Sequence, residues 1–144
     1  MFIINSTTAL ALIEPSFAPR YVELAKANYA HLSRWLTWPP FCKTEADFLA
    51  FINEAEKKNA NGESLICAVL YQGEIAGNIS LNTINKSLKK AEIGYWIAEE
   101  FTGKGIVTQC CERLIEYGFS DLGLDKLQLS AAVDNTASRA IAER

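Results

Sequence analysis

Ala91-Glu92-Ile93-Gly94-Tyr95-Trp96-Ile97-Ala98-Glu99-Glu100-Phe101-Thr102-Gly103-Lys104-Gly105-Ile106-Val107 is the stretch of the 144-residue chain whose reading decides its fold. Up to Ile97 the side chains alternate, Ile93, Tyr95 and Ile97 on one face and Glu92, Gly94 and Trp96 on the other, which is the pattern of a strand. From Lys104 to Ser120 the period becomes helical, with the rows Ile106, Cys110, Leu114 and Val107, Cys111, Ile115 along one side. Between the two lies a short turn with glycines at 103 and 105. The start of a helix leaves backbone N–H groups unpaired and carries partial positive charge, and glycine lets a phosphate come close to the backbone, so this is the pattern of an anion site. The plainer reading also stands: Gly103 and Gly105 simply permit a tight strand-to-helix turn. The stretch is not a nucleotide P-loop, because no Gly-Lys-Ser/Thr follows at the right distance. Nor is it a dinucleotide fingerprint, because the third glycine and the downstream acid are missing.

On the C-terminal side, Gly123 stops the helix and Lys126 to Val133 reads as a further strand. A helical crossover joins it to Ala91–Ile97, so the two strands should run parallel, with a right-handed connection. On the N-terminal side, a polar, lysine-bearing loop is expected from Asn82 to Lys90. Before it, Leu65 to Tyr71 and Ile75 to Leu81 form a hairpin around Gln72-Gly73-Glu74. Thr44 starts a helix, with Asp47 placed as its capping partner, apolar residues Phe48, Leu49, Phe51 and Ile52, and an end at Asn59 to Gly62. Trp35 to Pro40 breaks an earlier helix expected over Phe17 to Leu32, and Ala9 to Ile13 is a short strand. The fold class is therefore α/β in the α+β sense: a mixed, mostly antiparallel sheet of five recognisable strands flanked by helices, in one domain.

About half of the residues are apolar and the net charge is −3, without long charge runs. That describes a soluble globular domain and points to no nucleic-acid surface. No apolar stretch approaches the roughly 20 residues that span a bilayer, and Met1 to Leu12 lacks the marks of a signal peptide. A cytoplasmic protein without a membrane partner is expected. Cys42, Cys67, Cys110 and Cys111 show no Cys-x-x-Cys spacing and read as reduced core thiols. The single histidine, His31, has no ligand set around it, so metal-free chemistry is expected.

The strand Ala91 to Ile97 with the loop after it closely resembles the acetyl-CoA motif of the GCN5-related N-acetyltransferases (GNAT), and most of all their RimJ/RimL-type branch, which acetylates N-terminal amines of ribosomal proteins. The likeness extends to Trp35-Leu36-Thr37-Trp38-Pro39, to Gly77-x-Ile79-x-Leu81 and to Asn135-x-x-Ser138, and covers essentially the whole chain. The family loop pattern, Gln/Arg-x-x-Gly-x-Gly/Ala, falls on Thr102-Gly103-Lys104-Gly105-Ile106-Val107. It departs at Thr102, where a long polar residue is usual, and at Val107, where a small one is. The resemblance implies acetyl-CoA as co-substrate, its pyrophosphate on Thr102, Gly103, Lys104, Gly105 and Ile106. Its pantetheine arm would lie along the backbone of Trp96, Ile97 and Ala98, with Asn135 bonded to that arm. It further implies that Ser138 protonates the leaving thiolate. Asp134, Asn135, Thr136 and Ser138 also make an ordinary helix N-cap. The base of RimL-type relatives would fall beyond Arg144; Glu92 is the substitute within the chain, or else a solvated charge at the strand edge. Trp35 and Trp38 either shape the acceptor site or cap the core.

The implied reaction is direct attack of a primary amine on the thioester, with no covalent enzyme intermediate. A protein N-terminus suits this: with a pKa of about 7.7 to 8.0, roughly a tenth of it is neutral at pH 7, against less than about one part in a thousand for a lysine near 10.4. Polyamines or aminoglycosides are the alternative acceptors, and a catalytically weak CoA-binding module is the alternative to an enzyme. The resemblance leaves room for a homodimer. Ala137 to Arg144 begins a helix with no cap or stop, so the expectation is a domain cut short, its C-terminal strands missing.

Overall fold

The computed structural model describes residues 2–33 and 43–129. Six described strands form one sheet in the order β1 (Phe2–Ile3), β2 (Thr8–Leu12), β3 (Leu65–Tyr71), β4 (Glu74–Asn85), β5 (Lys90–Ile97), β6 (Lys126–Leu129). Every neighbouring pair is antiparallel except β5 and β6, which run parallel with Lys90 opposite Lys126 and Ile93 opposite Leu129. Helix α4 (Ile106–Ser120) makes the crossover that this parallel pair requires. It starts two residues later than its apolar period suggests, because Gly105 is left-handed, with φ 75°, and stands outside the helix as its N-cap. Ile106, Cys110, Leu114 and Cys111 are buried, whereas Ile115, expected beside them, is 37% exposed.

The hairpin β3–β4 turns at Gln72 and Gly73, with φ of 52° and 82°, the sign at both central residues that a tight two-residue turn demands. Strand β4 runs on to Asn85, past the loop start expected at Asn82. Asn82 and Asn85 pair with Glu92 and Lys90 through the backbone, with an irregularity at Thr83 (φ 52°), and polar side chains at the solvent end of a ladder do not prevent such pairing. Strand β1 was not visible in the sequence. Asn5 builds its turn, its Oδ1 accepting from the N–H groups of Thr7 at 2.8 Å and Thr8 at 2.9 Å.

On one face lie α1 (Ala18–Ala27), α2 (Tyr29–Ser33) and α3 (Glu45–Asn61). The single helix expected over Phe17–Leu32 is broken at Asn28, whose φ of −117° and ψ of 20° leave the helical region. Its side chain donates Nδ2–H to Leu24 O at 2.9 Å, the backbone competition by which Asn disfavours helix interiors. Helix α3 begins as expected with a capping box: Asp47 N–H donates to Thr44 Oγ1 at 3.1 Å, and the Asp47 carboxylate accepts from the N–H groups of Thr44 and Lys43. Those backbone donors hold the Asp47 carboxyl below the usual carboxylate range. Gly62, with φ 75°, ends the helix.

Gly77 is needed for a different reason from the turn glycines. A Cβ there would stand 2.2 Å from Trp96 O and 2.8 Å from Ile97 Cα, atoms of the neighbouring strand's backbone that cannot swing aside. Gly77→Ala must push apart β4 and the end of β5. It is expected to lower stability by about 1–3 kcal/mol or more, read as a lower urea midpoint; an unchanged midpoint would contradict this packing.

Cys67, Cys110 and Cys111 are free and buried, and burial, which disfavours the thiolate, pushes each up to about 12; Cys42 lies outside the described residues. In a Cys42→Ser chain at pH 8, Ellman's reagent should leave all three unlabelled in the folded state and label them once denatured. Rapid labelling of the folded chain would show the thiols are not held in the core.

Candidate active site

Strand β5 hands the chain to a tightly bonded turn. Ala98 N–H donates to Ala76 O at 2.9 Å, Phe101 N–H to Ala98 O at 3.0 Å, and Thr102 N–H to Glu99 O at 3.1 Å. The Thr102 hydroxyl donates to the same Glu99 carbonyl at 2.6 Å, and Glu99 N–H is bound by Asn28 Oδ1 at 2.9 Å. Phe101 is buried and packs edge-on against Tyr71, ring centroids 6.0 Å apart.

Past Thr102 the bonding stops. Gly103 and Gly105 have φ of 78° and 75°, left-handed values that glycine adopts without strain. The first helical bond of α4 is Gln109 N–H to Gly105 O at 3.1 Å, and among the described residues no backbone carbonyl accepts from the N–H groups of Gly103, Lys104, Gly105, Ile106 or Val107. A Cβ on either glycine would meet nothing within 4 Å among the described residues. Five consecutive amides, next to open space and at the positive end of a 15-residue helix, suit a diphosphate, which is purely an acceptor and carries compensating charge.

Each residue expected at the site can now be located. Gly103, Lys104 and Gly105 lie together on the open part of the loop, and Ile106, its side chain buried, opens α4 beside them. Thr102 lies at its edge, and its one hydroxyl proton is engaged by Glu99, so it has none to give a phosphate. Trp96 and Ile97 end β5 and Ala98 follows it, but the Ala98 N–H is committed to β4. Backbone groups alternate sides along an antiparallel ladder, so those of Tyr95 and Ile97 point away from β4, toward the β6 side. The Trp96 ring packs 5.6 Å from Tyr21, which stacks on Phe48 at 5.7 Å and donates its hydroxyl to Asn78 Oδ1 at 3.0 Å. Burial holds the Tyr21 phenol protonated far above its ordinary range.

Glu92 is half-buried, opposite Asn82 on one side and Gln128 on the other. At about 3.3 Å of rise per residue it sits some 13 Å along β5 from Trp96, on the same face. Gly94 lies between them, where a side chain would meet Asn82 Nδ2 at 3.2 Å and Ser80 Oγ at 3.9 Å. Trp35, Trp38, Asn135 and Ser138 lie outside the described residues. Asn28 was missed by sequence reasoning, although an Asn inside a helical pattern is itself a signal of a cap or break. No group of three or more His, Cys, Asp or Glu side chains among the described residues could hold a metal ion, and no described helix is long and apolar enough to cross a membrane.

Known proteins are similar to this chain in sequence and fold. A family model described as an acetyltransferase (GNAT) domain matches residues 10–144. YdaF of Bacillus subtilis (strain 168), whose name assigns it ribosomal N-acetyltransferase activity, is 38% identical over 144 residues, spanning 98% of this chain and 78% of that protein. Among solved structures, the microcin C7 self-immunity acetyltransferase MccE in complex with acetyl-CoA and AMP superposes with a TM-score of 0.91 at 33% identity, covering 97% of this chain and 78% of that one. RimL, a ribosomal L7/L12 alpha-N-protein acetyltransferase in complex with coenzyme A, superposes with a TM-score of 0.94 at 28% identity, covering 99% and 81%. The glycine loop of open amides at the end of β5 thus stands within a match that runs almost the length of the chain, which belongs to the GNAT family of acetyltransferases.

Proposed function

We propose that this chain, read over residues 1–144 as a single acetyltransferase domain, transfers acetyl from acetyl-CoA to the N-terminal amine of a ribosomal protein in the cytoplasm. The observation that carries this is the row of amides from Gly103 to Val107, unpartnered among the described residues, at the end of β5. The chain's likeness to YdaF and RimL supplies the acceptor class.

In this reading the pyrophosphate is held by the amides of Gly103, Lys104, Gly105 and Ile106, with the Lys104 charge nearby. The pantetheine arm runs along the edge of β5 that faces away from β4, where the groups of Tyr95 and Ile97 are directed. Because Ala98 N–H is already bonded, Ile97 N–H is the donor placed for the thioester oxygen. Such a preorganised donor acts on charge that gathers as the amine attacks, and losing one costs about 3 kcal/mol of barrier. The amine enters beside Gly94, where the side chains at hand are the polar ones of Asn82 and Ser80. Glu92, on the same face but too far along β5 for direct contact, takes its proton through intervening water. An N-terminal amine asks little of that base, being about a tenth neutral at pH 7. Asn135 and Ser138, as partners of the pantetheine arm and of the leaving thiolate, rest on resemblance alone.

Gly105→Glu places a carboxylate against the pyrophosphate, and like charges brought together cost several kcal/mol, so calorimetry should show acetyl-CoA affinity falling at least about 100-fold. Gly105→Asn, uncharged and tolerant of left-handed φ, should bind far better than the Glu variant. Equal affinity of Gly105→Glu and the unaltered chain would mean the loop is not the site. Mass spectrometry of peptides and polyamines incubated with acetyl-CoA tests the acceptor: acetylation confined to polyamines would contradict the N-terminal assignment.

A further inference from the structure

We propose that Asn28 is a positioning residue for the acetyl-CoA loop, holding its lead-in from the far side of the sheet's helical layer; this rests on the function proposed above. Asn28 is only 8% exposed, and each of its four polar groups is engaged. Its backbone N–H donates to Leu24 O at 3.0 Å, its carbonyl accepts from Leu32 N–H at 2.8 Å, and its Nδ2 donates to Leu24 O at 2.9 Å. Those three bonds stay within α1 and α2. The fourth leaves them: Oδ1 accepts Glu99 N–H at 2.9 Å, across 71 positions of sequence.

Glu99 is where that bond matters. It is the first residue of a single 3-10 turn, Glu99–Phe101, and its carbonyl in turn accepts both donors of Thr102, the residue before Gly103. The peptide groups on either side of Glu99 are therefore pinned, one by Asn28 and one by Thr102. Open amides bind an anion well only if they converge before it arrives, since ordering them afterwards subtracts from affinity. The helix break at Asn28 follows from the same requirement. Nδ2 occupies the Leu24 carbonyl so that Oδ1 can point at Glu99, and a residue of better helix propensity would leave Glu99 N–H without that acceptor.

The test is acetyl-CoA binding by calorimetry together with steady-state kinetics. Asn28→Ala removes both side-chain bonds, and the one that bears on the loop, to Glu99, is worth about 1 kcal/mol, so Kd and KM for acetyl-CoA should rise about five- to tenfold while kcat at saturation holds. Ala25→Gly, one turn earlier in α1, is the stability control: it should lower the melting temperature and leave Kd unchanged. Glu99→Pro deletes the donor from the exposed end, at a helix-start position that suits proline after the extended Ala98 (ψ 144°). Compared with Glu99→Gln to correct for charge, it should raise Kd as Asn28→Ala does, and the double variant should add nothing further. It also decides the matter if Asn28→Ala fails to fold. Unchanged Kd in these variants, or an equal rise in Ala25→Gly, would overturn the inference. An unaltered chain that binds no acetyl-CoA would overturn the proposed function and this inference with it.

Discussion

The parallel pairing of β6 with β5 constrains everything else in the molecule. A strand that lies parallel to its predecessor can be reached only by carrying the chain back to the same end of the sheet, and α4 makes that return. The helix must therefore begin where β5 ends. Its first amides, which no helix can satisfy internally, consequently open at the end of a strand whose outer backbone edge is directed away from β4. Ile106, Cys110 and Leu114 bury the helix against the sheet and fix this geometry, so the row of open amides is a by-product of the same packing that stabilises the fold.

The boundary at Gly103 separates two kinds of backbone. The amides of Ala98, Glu99, Phe101 and Thr102 are spent on internal bonds, to Ala76, Asn28, Ala98 and Glu99 in turn. Among the described residues, the amides from Gly103 to Val107 are not. Exposed amides are tolerable because water satisfies them, yet a ligand that displaces that water must supply acceptors of its own. A rigid lead-in followed by uncommitted donors is what a preorganised diphosphate site requires. The opposite face of β5 differs in character. There Tyr21, Asn78 and Trp96 form a closed packed group, and the Asn82 amide reaches over Gly94, to 3.2 Å from where a Cβ would stand. In the proposed reading, one strand presents its edge to the cofactor and its face to the acceptor.

The features legible in the sequence were those whose causes lie within a few residues. The alternation from Ala91 to Ile97, the helical rows of α4, the turn at Gln72-Gly73 and the Thr44–Asp47 capping box all follow from local periodicity or short side-chain reach, and the structure has them. What was not legible depends on partners distant in sequence. The break at Asn28 serves an amide at Glu99; the intolerance at Gly77 comes from the backbone of Trp96 across the ladder; the Ala98 amide is lost to Ala76. The two-residue β1 is too short to show a period, and the polar end of β4 reads as loop because its pairing uses backbone alone. Within the candidate site, the loop was legible twice, as a glycine pattern and as a family resemblance. The roles given to Asn135 and Ser138 have only the resemblance.

The central claim is that the amides of Gly103 to Val107 receive the pyrophosphate of acetyl-CoA. The most direct measurement is an NMR titration of the nitrogen-15-labelled chain with acetyl-CoA, following each backbone amide. The account predicts that the largest downfield proton shifts fall on residues 103–107, with smaller changes along the end of β5 and almost none at the already bonded amides of Ala98 and Phe101. Saturable binding that leaves residues 103–107 unmoved, with its largest shifts elsewhere on the sheet, would contradict it.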